Sequence, residues 1–423
     1  PLHWAAKEGH EATVQVLVSS GANLEALDNK AWCTPLHLAA RDGKHAVVQA
    51  LAVAGANVEA RNKVQSTPLH LAARQGHATV VQALVAAGAN LGVQGKNQCT
   101  PLHWAVEQGK QAIVQALVAA GANLEAQDKG QYTPLHRAAI QGHEAPVQAL
   151  VAAGANLEAQ GQYQRTPLHL AACQGDAAIV QVLVAAGANL EAQNECQHTA
   201  LHEAAGKGRK AVVKALVAAG AKLEAQSKHH RTPLHLAALK GKETVVEVLV
   251  GAGANLEAQT NCYQHTPLHL AVMGGHKAVV EALVGAGVNL EAQTKHYQGT
   301  PLHLAVMEGH KAIVEALVTA GANLEATGKD QRTPLQLAEQ RGLMSMVQAL
   351  KKRSYKDSER KCSNDNTTKI EEKGDLCCVC LDRPKMVVLM PCRHMWLCSN
   401  CAPWIESCPL CKAAIAEKII LFQ

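Results

Sequence analysis

A mainly α solenoid of about eleven helix-turn-helix units, followed by a polar linker and a small zinc-bound α+β domain, is the architecture this 423-residue chain predicts. Three observations predict it. From Pro1 to about Arg353 one phrase recurs, Thr34-Pro-Leu-His37, Thr67-Pro-Leu-His70 and onward to Thr333-Pro-Leu-Gln336. Its prolines stand at 1, 35, 68, 101, 134, 167, 233, 267, 301 and 334, with Ala200 replacing one, and steps of 33 or 34 residues define an internal repeat. Aromatic residues are only 3% of a chain rich in Ala, Leu and Val, too little bulk for one large core and suited to stacked short helices. Finally, seven Cys ligand candidates and one His crowd into residues 377–411.

Each unit carries its own local logic. The Thr is a helix N-cap, and the Pro occupies the first helical position, where its missing amide proton costs nothing. Leu69, Leu71, Ala72 and Ala73 make a short first helix that Gly76 ends in a left-handed conformation. Val80, Val81, Leu84 and Val85 give a second helix its apolar face, and Gly88 ends it. About ten polar residues then lead to the next Thr, enough for an outward hairpin. Such a unit buries its apolar face only against its neighbours.

The pattern resembles the ankyrin repeat, whose Thr-Pro-Leu-His-x-Ala-Ala and Gly-Ala-Asn signatures stand at Thr67 to Ala73 and Gly88 to Asn90. The resemblance spans residues 1–353 and implies a protein-binding array. One departure recurs: where the family usually has Gly two residues before the Thr, this chain has Gln65, Gln98, Gln131, Gln164, Gln197, Gln264, Gln298 and Gln331. The hairpin tip is therefore expected to turn differently.

Ten histidines fill the slot after Pro-Leu or Ala-Leu, among them His37, His103 and His269. Successive slots are one unit apart, so each ring is read as bonding its own loop rather than a metal. Four residues before the Thr stand Lys30, Lys63, Lys96, Lys129, Lys228 and Lys329, which stacking would align along the hairpin tips. This stripe could grip an acidic or phosphorylated partner. Against that, Gln162, Glu195 and Cys262 interrupt it, and an acidic row runs parallel from Glu25 and Glu59 to Glu325, so mixed charge that only keeps the surface soluble is the competing reading. One residue later lie Tyr163, Tyr263 and Tyr297, aromatics at an exposed edge of the kind that anchors partners.

Residues 354–375 change to Lys, Glu, Asp, Ser, Asn and Thr and read as a flexible tether to the domain at 376–423. A net charge of +5 is small for this length, so no nucleic-acid partner is expected. Apolar runs are too short to span a membrane. With most of the remaining cysteines scattered singly through the repeats, a reducing, cytoplasmic setting is expected, the basic Lys351–Arg353 cluster being the one pointer to the nucleus. The chain starts at Pro1 without Met, and its true start is expected to lie upstream.

The ligand run reads Cys377-x2-Cys380, then Cys392-x-His394-x3-Cys398-x2-Cys401, then Cys408-x2-Cys411. Eight soft or borderline donors at this spacing suit two closed tetrahedral Zn2+ sites, with no position left for a reactive water. A domain this small needs such metals to fold. The order resembles the C3HC4 RING finger, and the resemblance implies an interleaved pairing: Cys377, Cys380, Cys398 and Cys401 on one zinc, Cys392, His394, Cys408 and Cys411 on the other.

RING fingers recruit a ubiquitin-conjugating enzyme and its ubiquitin thioester. The resemblance places Val379, Trp404 and Pro409 in the docking groove and makes Lys412 the cation that bonds both conjugating enzyme and ubiquitin. The tail Ile419-Ile420-Leu421-Phe422-Gln423 resembles that of inhibitor-of-apoptosis RINGs, which implies a RING homodimer with Phe422 reaching the partner's ubiquitin; the alternative is that the tail packs on its own domain. As a whole the chain resembles an E3 ubiquitin ligase whose array selects a protein substrate. A non-catalytic adaptor with a structural or dimerising RING is the reading it competes with.

Overall fold

The computed structural model describes residues 1–351 and the backbone of three strands at 387–390, 394–397 and 417–420. The helices lie in two compact bodies, Pro1–Asn255 and the described part of Leu256–Gln423. Local geometry is the same in both, and one unit serves to explain it.

Thr133 is extended, with φ −78° and ψ 167°, and caps the helix Pro134–Gln141. Gly142, with φ 76°, ends that helix, and the helix Glu144–Ala152 follows. Leu135, Ala138, Ala139, Val147 and Leu150 are buried. Helices of seven to nine residues lie below the length of about 12–15 at which an isolated helix becomes marginal in water, so it is stacking on neighbouring units that holds them. In several units a carbonyl left open at the end of the first helix is met from the next unit: His77 Nε2 donates to the Arg41 carbonyl at 2.9 Å, and Arg209 Nε to that of Cys173 at 3.1 Å.

Both ring nitrogens of the slot histidine are engaged, and one of them reaches beyond its own loop. The Thr133 N–H donates to His136 Nδ1 at 3.2 Å, so the ring proton sits on Nε2. That Nε2–H donates to the Arg165 carbonyl of the following unit at 2.9 Å. The pair of bonds recurs at His37, His70, His103, His169, His202 and His303. The reading that confined each ring to its own loop is thus corrected. The carbonyl before the next Thr already accepts an N–H inside its own hairpin, Gly161 to Arg165 at 2.9 Å, and the ring satisfies its second lone pair. Burial pushes the imidazoles of His70, His136 and His202 down to about 4.

The hairpin tip holds a left-handed residue at the position in question, and at Asn97 and Tyr163 a second one precedes it. All eight glutamines named above hold a left-handed φ between 47° and 62°, the conformation that Gly adopts freely, and Trp32 and His230 do so in two other units. A side chain in that region costs about 1 kcal/mol. The turn is held by a residue three positions before the Gln. Asp128 Oδ1 accepts the Gly130 and Tyr132 N–H groups at 2.7 and 3.1 Å, and Asn62 and Asn194 do the same in their units.

In the C-terminal segment β1 (Val387–Met390) pairs antiparallel with β2 (His394–Leu397) and with β3 (Glu417–Ile420), in the order β2-β1-β3. Val388 opposes Ile419 and Val387 opposes Ile420. The start of the apolar tail therefore pairs with its own chain. The linker 354–375 lies outside the described residues.

Candidate functional site

The hairpin edge is where the predicted partner-binding residues fall. Lys30, Lys63, Lys96 and Lys129 are exposed, as are Tyr163, Tyr263 and Tyr297. Successive tips are joined by their backbones: the Lys63 N–H donates to the Ala31 carbonyl at 2.9 Å, Lys129 to Asn97 at 2.8 Å and Lys228 to Cys196 at 3.1 Å. This bond fixes the true register of the row. In the second body Lys295 donates to Tyr263 at 3.0 Å and Lys329 to Tyr297 at 2.9 Å. Lys295 therefore belongs to the row, and it is Asn261 rather than Cys262 that interrupts it. Counting back from the Thr missed this because the hairpins before Thr266 and Thr300 carry one extra residue.

The parallel acidic row has a different role from surface mixing. Glu125 Oε1 accepts the Asn156 N–H of the next unit at 2.8 Å, and Glu25, Glu59, Glu158, Glu191, Glu224, Glu257 and Glu291 make the same bond. In return Asn123 Oδ1 accepts the Glu125 N–H at 2.9 Å within its own loop. The row is a chain of staples between units. It has one gap, where Gly92 takes the place of the Glu.

A third set, missed in the sequence, lies on the first helices. The residue after the slot histidine is Leu in six units and Leu337 follows Gln336, but Trp4 departs in the first unit and Trp104, Arg137 and Glu203 break the series within four consecutive units. Arg137 Nε donates to buried Asp128 Oδ2 at 2.6 Å. Asn194 Nδ2 donates to Glu203 Oε1 at 2.9 Å, with Arg165 3.5 Å and His198 3.7 Å away. Burial alone would raise the Glu203 carboxyl, but His198 and Arg165 bring it below the usual carboxylate range. Arginines lie over aromatic rings here: Arg74 over Trp104 at 5.1 Å, Arg137 over Tyr132 at 5.4 Å and Arg165 over Tyr163 at 5.7 Å. The signal for this set was the break in an otherwise repeated Leu.

Of the eight zinc-ligand candidates, His394 falls on a described strand as the first residue of β2, its backbone opposite Leu389. The other seven, together with Val379, Trp404, Pro409, Lys412 and Phe422, lie outside the described residues. The donor set itself, seven thiols and an imidazole, fits two four-coordinate zinc ions.

Known families and proteins match separate parts of this chain. The family described as ankyrin repeats (3 copies) matches in overlapping stretches from residue 36 to residue 361. The chain belongs to the ankyrin-repeat family. Ankyrin repeats (many copies) matches residues 2–52, and the zinc finger of C3HC4 type (RING finger) matches residues 373–418, so this ankyrin-repeat chain also carries a RING finger. Curated relatives include the E3 ubiquitin-protein ligase SP1 of Arabidopsis thaliana, 36% identical over 16% of this chain and 22% of that protein. The mitochondrial E3 ubiquitin protein ligase 1 of Drosophila melanogaster is 44% identical over 12% of this chain and 15% of its own length. The kinesin-like protein KIN-7M of Arabidopsis thaliana is 27% identical over 22% of this chain and 8% of its own. The chain thus spans less than a quarter of the length of these relatives. The crystal structure of the human ASB11 ankyrin repeat domain is similar with a TM-score of 0.48 and 28% identity, over 53% of this chain and 99% of that one. Among the described residues no helix is long and apolar enough to cross a membrane.

Proposed function

We propose that the chain is a RING-type E3 ubiquitin ligase whose ankyrin array recruits a protein substrate while the RING recruits a conjugating enzyme charged with ubiquitin. The observation that carries this reading is the C3HC4 match at residues 373–418, supported by relatives named as E3 ubiquitin ligases. The reaction is acyl transfer from the conjugating enzyme's cysteine to a substrate lysine, and the ligase supplies proximity rather than a nucleophile. Zinc, when bound by the eight ligands, supplies folding free energy. Val379, Trp404 and Pro409 dock the conjugating enzyme, and Lys412 donates to it and to ubiquitin. The setting is cytoplasmic. β3 is an edge strand among the described residues, so a second copy's tail can add there to form a RING dimer, with Phe422 reaching across.

The test is ubiquitin transfer by the purified chain with an activating enzyme and a panel of conjugating enzymes, before and after zinc chelation. Chelation-sensitive chains that disappear in Val379→Ala, with zinc content unchanged, establish the ligase. Silence across the panel from protein holding two zinc ions points to the adaptor. Sedimentation with and without residues 419–423 tests the dimer: a monomer in both cases ends that part of the reading.

A further inference from the structure

The units from Lys63 to Arg231 combine three features. Three of the four breaks in the Leu series fall there, at Trp104, Arg137 and Glu203, the other being Trp4. All three arginine-over-aromatic contacts of the described residues fall there. The indole N–H of Trp104 and the Nε groups of Arg165 and Arg231 have no hydrogen-bond partner, although these atoms are shielded from solvent.

Charge decides what such a face takes. Its two inward carboxylates are already occupied: Asp128 holds two backbone N–H groups and Arg137, and Glu203 holds Asn194 beside Arg165 and His198. Several of its cations are not. Arg74, Arg231 and the exposed tip lysines Lys63, Lys96 and Lys129 have no carboxylate within 4.0 Å among the described residues, and Glu195 is the acidic residue left in the tip row here.

From this we infer that the face from Lys63 to Arg231 binds an extended, acidic segment of a partner protein. Stacked helices lie about 8–10 Å apart, and an extended chain advances about 3.3 Å per residue. An acidic residue at about every third position of the segment therefore meets successive units. The inference rests on the array being the recruiting surface, but its test involves no ubiquitin.

A display library of random peptides about 16 residues long is selected on the immobilised full chain, and the selected peptides are measured in solution. The expected consensus is acid-rich with a period near three, and binding falls about tenfold in Arg74→Glu and again in Lys96→Glu, and weakens as salt is raised. A consensus without acidic residues, no enrichment, or binding that these substitutions leave unchanged overturns the inference. So does poly-uridine RNA that binds more tightly than the peptides and is lost in the same variants. Urea unfolding midpoints equal to the parent's show that the variants fold, and Lys96→Gln repeats the test without reversing the charge. A chain that binds the acidic peptide yet transfers no ubiquitin removes the ligase reading and leaves this one. One that transfers ubiquitin but selects no acidic peptide does the reverse.

Discussion

Two adjacent positions in every first helix behave in opposite ways. The slot histidine is repeated and buried, while the residue after it ranges from Leu to Trp, Arg and Glu. His136 is fixed because it has two obligations, to the Thr133 N–H of its own loop and to the Arg165 carbonyl of the next unit. Its neighbour Arg137 lies on a face that no repeating bond requires. Stacking is thus delegated to the residue that the units repeat, and the variation falls on its neighbour.

The largest effect that bears on this contrast is acid. In the fold the slot rings are neutral, with Nδ1 accepting an N–H, and burial lowers the imidazole at His37, His70, His103, His136, His169, His202 and His303. Depressed values mean the unfolded chain binds protons first, so this stability is complete above pH 6.5 and is lost as pH falls toward about 4. A ring lowered from 6.5 to about 4 ties about 3 kcal/mol to that window, and nearest-neighbour coupling makes several rings act together. Circular dichroism against pH is expected to show a cooperative melt of the helices between these values. Helices that persist at pH 4 would break the contrast.

Next comes His136→Ala, expected to cost about 2 kcal/mol because the buried Thr133 N–H loses its partner while the Arg165 carbonyl keeps the Gly161 N–H. His136→Gln is expected to cost about 1 kcal/mol, because a Gln can keep the cap. Gln336 does so in its unit, accepting the Thr333 N–H at 3.1 Å. Hydrogen exchange resolved by unit should localise both losses to the joint between Thr133 and Arg165. By contrast Trp104→Leu, which restores the majority residue next to a slot histidine, is expected to cost under about 1 kcal/mol in urea unfolding while weakening partner binding.

Two smaller changes sharpen the picture of the joints. Gly92→Glu restores the missing staple to the next unit; a side chain there meets only Asn90 Oδ1, at 3.5 Å, and φ is not left-handed. It is expected to gain about 0.5–1 kcal/mol, read as slower exchange in the units on either side. Gln131→Gly relieves a left-handed side chain but loosens the unfolded chain, and a net gain of about 0.5 kcal/mol in thermal unfolding is expected.

Much of this was legible in the chain. The 33-residue period, the Thr-Pro starts and the terminal glycines fixed where each helix begins and ends, because caps and breakers act within a few residues of themselves. The tip lysines and tyrosines were found by counting, except Lys295, which one inserted residue had moved out of step. The conformation at Gln65 was hidden for a different reason. Composition says which residue adopts a left-handed φ freely, but not that Asn62, pinning the tip from within, can hold a Gln there.

Sequence by itself therefore determined the repeat, the local helices and a ligand set fit for two zinc ions, all of which rest on spacing and residue chemistry. Only the tertiary structure decided that His136 serves the next unit as well as its own, that the acidic row staples units together, and that Asp128 and Glu203 turn inward against Arg137 and Arg165. The reason is distance along the chain. The histidine bridges and glutamate staples join residues 29–32 positions apart, and a partner at that separation is chosen by how units stack, not by what stands beside a residue in the sequence.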